Sequence, residues 1–169
     1  HHFGAMYADL CVKLARTPLE NIDDLDGGKG GKTFKKLLLQ RCQDEIEKDM
    51  VQVLADLETI EDEDSRNEQI LLARKRYVGH MKFVGELFRV QLLSDRIMHA
   101  CVQELFGDLK SPDEEKIQCL CTLMTTIGYQ LEDMASKHSD KKPEHLTYMK
   151  NYVKSLKELG TNKVLSSRI

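Results

Sequence analysis

The sequence predicts an all-α fold. Apolar side chains recur at intervals of three and four residues along most of the 169-residue chain, which is the period of a helix with one buried face. The three prolines all lie near expected helix ends, and no segment alternates apolar and polar residues as a half-buried strand would. Because 41% hydrophobic and 31% charged residues are an ordinary balance, we expect residues 1–169 to form one domain with a core.

Two helices are predicted before residue 58. The first stops before Thr17 and Pro18, and a flexible loop over about residues 17–32 follows it. The second is a long helix from Thr33, its cap, to about Leu57. The apolar stripe of the first helix consists of Phe3, Met6, Tyr7, Leu10 and Leu14, and that of the second consists of Phe34, Leu37, Leu38, Cys42, Ile46, Met50 and Leu54.

The run DGGKGGKT, residues 26–33, has some features of a phosphate-binding loop. Such a loop needs Gly-x-x-x-x-Gly-Lys-Ser/Thr, because its first glycine makes the turn in which backbone N–H groups wrap the phosphates. Asp26 occupies the position of that glycine, and the acidic stretch LENIDDLD in front of it would repel phosphate. We therefore interpret the run as a Gly-rich linker between two helices.

An acidic turn over about residues 58–66 precedes the third predicted helix, which runs from near Asn67 to Gln91. Gly79 and Gly85 each cost about 1 kcal/mol relative to Ala inside a helix, so they predict close helix packing or a kink. The residues expected to face inward are Ile70, Tyr77, Met81, Val84, Leu87 and Phe88.

Local signals mark three further helices. Ser94 caps a fourth helix that Gly107 ends, and residues 111–114 (SPDE) form a capping box with Ser at N-cap, Pro at N1 and Glu at N3. Pro143 begins a last helix that ends at Gly160. The residues expected to face inward are Ile97, Met98, Cys101, Val102, Leu105 and Phe106, then Ile117, Leu120, Cys121, Met124, Ile127 and Leu131, and finally Leu146, Met149, Val153 and Leu156.

Helices joined by mostly short loops fit either a closed bundle or stacked helical hairpins of the HEAT type. Hairpin starts near Asn67, Ser111 and Lys163 are about 44 and 52 residues apart, against roughly 40–47 in HEAT repeats. This spacing favours stacking without excluding the bundle.

Few side chains point to catalysis or metal binding. Five cysteines are an odd number, which favours reduced thiols inside a cell, and Cys119 and Cys121 point to different sides of a helix. The histidines fall at positions expected to be exposed or in loops, except His99, which we expect to be a partly buried packing residue, and none has a metal-binding partner at helical spacing. We expect no enzyme activity, cofactor or metal. No run approaches the ~18 apolar residues of a membrane helix.

Positive charges cluster on the third predicted helix. A net charge of −3 argues against a globally basic nucleic-acid binder, so any RNA contact must use a local patch. An ordinary solvated helix face is the alternative interpretation. The candidate RNA-binding residues are Arg74, Lys75, Arg76 and Lys82, and Arg89 continues the cluster.

Three longer stretches carry a family resemblance: FKKLLLQRCQDEIEKD (34–49), YVGHMKFVGELFRVQLLSDRIMHACVQELF (77–106) and CLCTLMTTIGYQLE (119–132). With FGAMYADLC before them and SSRI at the end, they resemble the middle domain of eukaryotic translation initiation factor 4 gamma, the scaffold subunit of the cap-binding initiation complex. Related middle domains in nonsense-mediated decay, splicing and nuclear cap binding share the F-V/I-G-E-L helix more than the L-L-x-R-C-Q and S-S-R-I elements.

The resemblance implies HEAT-type antiparallel hairpins stacked into a crescent-shaped α-solenoid, and a non-catalytic role in the cytoplasm. The family's domain docks the DEAD-box RNA helicase initiation factor 4A and stimulates it by holding its two lobes in a productive arrangement. It also contacts RNA and initiation factor 3, and the cap-binding protein binds regions outside this chain. By position, the candidate helicase contacts are Lys82, Arg89, Arg168 and Ile169. The alternative is a related middle domain of another RNA-processing complex, or a translational repressor that sequesters the helicase.

Overall fold

The computed structural model describes residues 3–16, 30–47, 50–137 and 143–161. Within these ranges the chain forms seven helices and no strand, so the predicted all-α fold is confirmed. The helices are α1 (Phe3–Arg16), α2 (Gly30–Ile46), α3 (Met50–Leu57), α4 (Glu63–Arg89), α5 (Asp95–Phe106), α6 (Glu114–Lys137) and α7 (Pro143–Gly160).

The contact between α4 and α6 is the most extensive one between described helices. At the start of α6, Glu115 pairs with Arg74, which lies near the middle of α4. Gly85 meets Thr126 at an equal number of residues farther along each helix, so the two helices run parallel. The fully buried side chains that they contribute include Met81, Val84, Leu87, Phe88, Ile117, Leu120, Leu123 and Ile127.

Parallel packing of two helices that have another helix between them in the chain indicates stacked hairpins. A closed up-down bundle would instead place consecutive, antiparallel helices side by side. Here α1, α4 and α6 pack in succession as one layer, while α2 contacts α1 and α4, and both α5 and α7 contact α6. The HEAT-type arrangement is therefore confirmed.

Gly85 allows the close approach of α4 and α6. A Cβ atom at this position would lie 2.9 Å from Thr126 Cγ2 and 3.3 Å from Ile127 Cγ2, which is too close for carbon atoms that cannot move away. A Cβ atom on Gly79 would have no atom within 4 Å. Of the two predicted alternatives, close packing is therefore confirmed at Gly85 and excluded at Gly79.

The predicted long helix over residues 33–57 is two helices. α2 ends at Ile46 and α3 begins at Met50. The last turn of α2 contains Asp44 and Glu45 and no basic residue. Negative charges at a helix C-terminus oppose the helix dipole, which favours an end at this point.

The glycine run ends inside α2. This helix begins at Gly30, before the predicted cap Thr33, so the loop expected over about residues 17–32 overlaps its first turn. A first turn tolerates glycine because its N–H groups have no intrahelical acceptor to lose. Residues 17–29 lie outside the described part of the chain.

α4 begins at Glu63 instead of near Asn67 because Asp62 caps it. The Asp62 carboxylate accepts a hydrogen bond from the Ser65 backbone N–H at 2.8 Å, and the first turn is acidic, as the helix dipole favours. The acidic turn expected over about residues 58–66 is correspondingly shorter.

Asp113, not Ser111, caps α6. Its carboxylate accepts hydrogen bonds from the backbone N–H groups of Glu115 at 2.9 Å and Lys116 at 3.3 Å. A carboxylate that accepts two of the unpaired N–H groups at a helix start is a strong cap, so the predicted capping box is wrong in its register. The predicted caps of α5 are confirmed: Ser94 Oγ accepts from the Ile97 N–H, and Gly107 ends the helix with φ 54°.

The predicted inward face of α1 is wrong. Phe3, Met6, Tyr7 and Leu10 are each about half exposed or more, whereas Ala8 is fully buried. α1 packs on α4 through small residues, since a Cβ atom on Gly4 would make ordinary contact with the Glu86 side chain. Small side chains let the two helices approach closely and leave the larger apolar stripe of α1 in solvent.

Other predicted inward faces are also partly wrong. Leu37 on α2 and Ile97 on α5 are exposed. On α6, Cys119 is buried and Cys121 is exposed. On α7, Leu146 and Val153 are exposed. The buried residues of α7 are His145, Tyr152 and Leu159, because the helix turns its aromatic side toward α5.

The close contact at Gly85 predicts opposite effects of the same substitution on α4. Gly85→Ala should lower the free energy of unfolding by about 1–3 kcal/mol, because overpacking against the branched side chains of Thr126 and Ile127 exceeds the helix-propensity gain. Gly79→Ala, the matched control in open space, should raise it by up to about 1 kcal/mol. Urea unfolding followed by circular dichroism measures both changes, and equal stabilisation by the two variants would contradict the proposed contact.

Candidate partner-binding and RNA-binding surface

The basic residues of α4 do not form one patch. Each residue of a helix is rotated by about 100° from the previous one, so residues seven apart share a face. Lys75, Lys82 and Arg89 therefore lie along one face, whereas Arg74 lies on the face of the buried Met81. Lys75 is exposed and Lys82 is half-buried.

Arg74 is committed to the core contact between α4 and α6. Its Nε atom lies 2.9 Å from Glu115 Oε1, and the Glu115 side chain is only 10% exposed. The other carboxylate oxygen of Glu115 is buried without a hydrogen-bond partner among the described residues, so losing Arg74 would leave this carboxylate without its ion-pair partner. This pairing argues against the predicted assignment of Arg74 to RNA.

Arg76 lies apart from the lysines, whereas Arg89 shares their face but is paired. Arg76 lines a cavity with Met50 and Leu57, on the side of α4 that faces α3. Arg89 forms an ion pair with Glu86, with 3.1 Å between Nη1 and Oε2, although about half of the Arg89 side chain stays exposed.

Lys75 and Lys82 remain together on the outside of the α1–α4–α6 layer. The contact of Gly85 with Thr126 fixes the rotation of α6, and it places Thr122, Thr125 and Tyr129 on the same outer side. We call these five residues the α4–α6 outer face. Tyr129 is 85% exposed.

Tyr129 is a candidate that the sequence analysis missed. It lies outside the apolar stripe of Met124, Ile127 and Leu131. An aromatic residue at an outward position of a helix could therefore have identified Tyr129 as a candidate binding residue from the sequence. The predicted helicase contacts Arg168 and Ile169 lie outside the described residues.

A buried aromatic cluster joins α5 to α7. His99 Nδ1 lies 2.9 Å from Tyr152 Oη, and the His99 ring centroid is 4.8 Å from those of both His145 and Tyr148. His145 Nε2 is 3.5 Å from Asp95 Oδ2. Burial raises the pKa of Tyr152, so its phenol stays protonated. The prediction that His99 is a packing residue is confirmed, and the prediction that His145 is exposed is wrong.

The thiols are poor candidates for nucleophiles. Burial raises the pKa of Cys42 and of Cys101 to about 11 and that of Cys119 to about 12, and Cys121 is exposed. A thiol with such a pKa is almost never the thiolate at neutral pH. Over the described ranges, no three His, Cys, Asp or Glu side chains are placed to hold a metal ion. No helix in the described ranges is long and apolar enough to cross a membrane.

Stacked hairpins with a layer of parallel helices and a broad outer face define a helical-repeat domain of the scaffold class. Residues 2–169 match the MIF4G domain, and the chain belongs to this family. The resemblance to the middle domain of initiation factor 4 gamma is thereby confirmed.

Named relatives agree with this assignment. The chain is 34% identical to Eukaryotic translation initiation factor 4G from Arabidopsis thaliana, over 99% of the chain and 9% of the relative. It is 37% identical to Eukaryotic translation initiation factor 4 gamma 3 from Homo sapiens and 38% identical to Eukaryotic translation initiation factor 4 gamma 1 from Mus musculus, each over 99% of the chain and 10% of the relative. The chain thus spans about a tenth of the length of these relatives.

The pairing of Arg74 predicts that two adjacent basic residues differ in their effect on stability. Arg74→Ala should lower the free energy of unfolding by about 1–3 kcal/mol, because it leaves the buried Glu115 carboxylate without its partner charge. Lys75→Ala, the exposed control, should change it by less than about 0.5 kcal/mol. Urea unfolding tests this difference, and equally small effects of both variants would show that Arg74 is not structural.

Proposed function

We propose that this chain is a non-catalytic scaffold domain of cytoplasmic translation initiation, which binds and stimulates the DEAD-box RNA helicase initiation factor 4A. The observation that carries the proposal is the family membership over residues 2–169, together with relatives named as initiation factors over nearly the whole chain. Contacts with initiation factor 3, and with the cap-binding protein through regions outside this chain, belong to the same proposal.

The stacked fold supports a stimulating role on physical grounds. A helicase with two lobes is activated by any partner that binds both lobes more tightly in their near-closed arrangement than in the open one. Such a partner must itself resist deformation, because a flexible one would bind both arrangements equally well. The fully buried contact of α4 with α6 supplies this rigidity.

The α4–α6 outer face supports the choice of surface. Lys75 and Lys82 provide two positive charges on it, and the neighbouring side chains of Thr122, Thr125 and Tyr129 are uncharged. An acidic patch on the helicase would meet these two positive charges. Arg89, held by Glu86, extends the same side of α4. Arg168 and Ile169 are retained as candidate helicase contacts at the end of the chain.

The same face also supports RNA contact. Lys75 and Lys82 fit phosphate groups, and the exposed ring of Tyr129 fits a stacked base, which is a common arrangement for single-stranded RNA. Arg76 points toward α3 and would contact RNA only at the margin of this site.

Charge reversal on the α4–α6 outer face predicts weaker helicase binding. Lys75→Glu combined with Lys82→Glu should weaken binding of purified initiation factor 4A about tenfold and reduce its RNA-dependent ATPase stimulation, because two interfacial charges become repulsive. Fluorescence-detected titration and an ATPase assay measure the two effects. Arg89 is better left unchanged, since Arg89→Glu would place a second carboxylate beside the buried Glu86.

The control for this experiment is Lys150→Glu combined with Lys154→Glu, which makes the same charge change at exposed positions of α7. The control should bind and stimulate like the unmodified chain. Equal binding by both double variants would remove the outer face from the interface. If the unmodified chain binds the helicase without stimulating its ATPase, a sequestering repressor is favoured. If the unmodified chain neither binds nor stimulates the helicase, the proposed function is contradicted.

RNA binding should depend on salt in a way that reports the number of phosphate contacts. The assay is a fluorescence anisotropy titration with single-stranded RNA at several salt concentrations. When Lys75 and Lys82 are both replaced by Gln, the negative slope of log affinity against log salt should become shallower by about 1.4, since each single-strand phosphate contact contributes about 0.7. Tyr129→Ala should weaken binding about tenfold and leave the slope unchanged, because stacking releases no counterions. An unchanged slope in the lysine variant would exclude this face as the RNA site.

A further inference from the structure

A groove separates α2 from α5 on the side of α4 opposite the α4–α6 outer face. α2 packs on α1 and α4, whereas α5 packs on α6 and, through the His99–Tyr152 contact, on α7. The two helices share the walls of a cavity of about 280 Å³, and Val84 of α4 forms part of its floor. Val84 and Lys82 lie on opposite sides of α4, because two residues span about 200° of a helix.

The middle of this groove is apolar. A cavity of about 150 Å³ with apolar walls holds a benzene ring, and pockets for drug-sized ligands begin at about 300 Å³. The α2–α5 groove, at about 280 Å³, therefore fits one or two aliphatic side chains better than a cofactor. Its apolar lining includes Leu39, Cys42, Ile46, Val84, Leu93 and Ile97.

One end of the groove is acidic. Glu47 and Glu104 line it there, and none of the described residues lining the cavity is basic. Glu47 also lines the adjoining cavity, where Asp108 and Asp113 add two more carboxylates. Lys116 is the one cation among the described residues that line these two cavities, and it is paired with Glu104 at 2.9 Å. Among the described residues at this end of the groove, four carboxylates are thus opposed by one lysine.

We propose that the α2–α5 groove docks an amphipathic helix of a partner protein, whose aliphatic side chains enter between the two helices and whose Lys or Arg side chains meet Glu47 and Glu104. An apolar slot between two helices receives residues at i, i+3, i+4 and i+7 of such a helix. Charge complementarity at the acidic end fixes the direction and excludes acidic partners. This site is independent of the proposed helicase and RNA surface.

A pair of designed helical peptides provides the probe. Both are about four turns long and carry the same leucine face, and they differ only in two residues beside that face, which are Lys in one and Glu in the other. Fluorescence anisotropy should show that the Lys peptide binds the unmodified chain at least about tenfold more tightly than the Glu peptide. Glu47→Lys combined with Glu104→Gln should remove or reverse this preference.

A variant that blocks the α2–α5 groove tests whether the peptide binds there. Ala100 is an exposed residue that lines the groove, so Ala100→Trp fills the opening without changing the core. Ala100→Trp should lower the affinity for the Lys peptide at least about tenfold. Ala55→Trp on α3, outside the groove, should leave this affinity unchanged. Equal binding to both tryptophan variants, or equal binding of the two peptides to the unmodified chain, would overturn the proposal.

The cysteines provide a second, independent readout. Cys42 and Cys101 line the groove, and Cys121 is exposed elsewhere on α6. Saturating Lys peptide should slow iodoacetamide alkylation of Cys42 and Cys101 about tenfold, measured by mass spectrometry at alkaline pH, and leave Cys121 unchanged. Unchanged alkylation of the two groove thiols would place the peptide elsewhere. A concentration-dependent dimer that Ala100→Trp abolishes would identify a second copy of the chain as the occupant and overturn the proposal.

Discussion

The parallel contact of α4 with α6 is the constraint on which the rest of the structure depends. It is fixed at one end by the ion pair of Arg74 with Glu115 and in the middle by the absence of a side chain at Gly85. These two contacts determine both the distance between the helices and their rotation. The rotation decides which side chains form the outer face, because Lys82 points outward only while Met81 and Val84 point into the core.

The sequence predicts the parts of the fold where the local structure requires a particular type of residue. Ser94 and Gly107 bound α5 as expected, because a side-chain acceptor and a residue that tolerates positive φ are needed at those positions. The central stripe of α4 is predicted for a similar reason, since the mainly apolar side chains of Tyr77, Met81 and Val84 are most stable when buried. The architecture needed more than periodicity, because a bundle and a stack bury the same stripe, and only the order of helix contacts distinguishes them.

The failed predictions concern residues with two possible environments. Arg74 is a cation like Lys75, but its partner Glu115 is distant in sequence, so a charge pattern on one helix could not reveal the pair. The apolar stripe of α1 and the small residues beside it are both plausible contact faces, and α4 selects the small ones. On α7, His145 and Tyr152 displace aliphatic residues from the interface, because α5 offers His99 and Phe106 as ring partners. In each case a residue on another helix determines whether the side chain is buried or exposed, and the local sequence does not reveal that contact.

The two layers give this small domain two surfaces of opposite character. The outer face of α4 and α6 carries Lys75 and Lys82, while the groove between α2 and α5 ends at Glu47 and Glu104. The side chains of Lys82 and Val84 leave the same helix in nearly opposite directions, so the two proposed partners would bind on opposite sides of α4. Because the core contact of α4 with α6 is already fully buried, filling the groove should not alter the spacing of the basic residues. On these two proposals, an acidic ligand and a basic helix would bind at the same time, and α4 would set their relative positions.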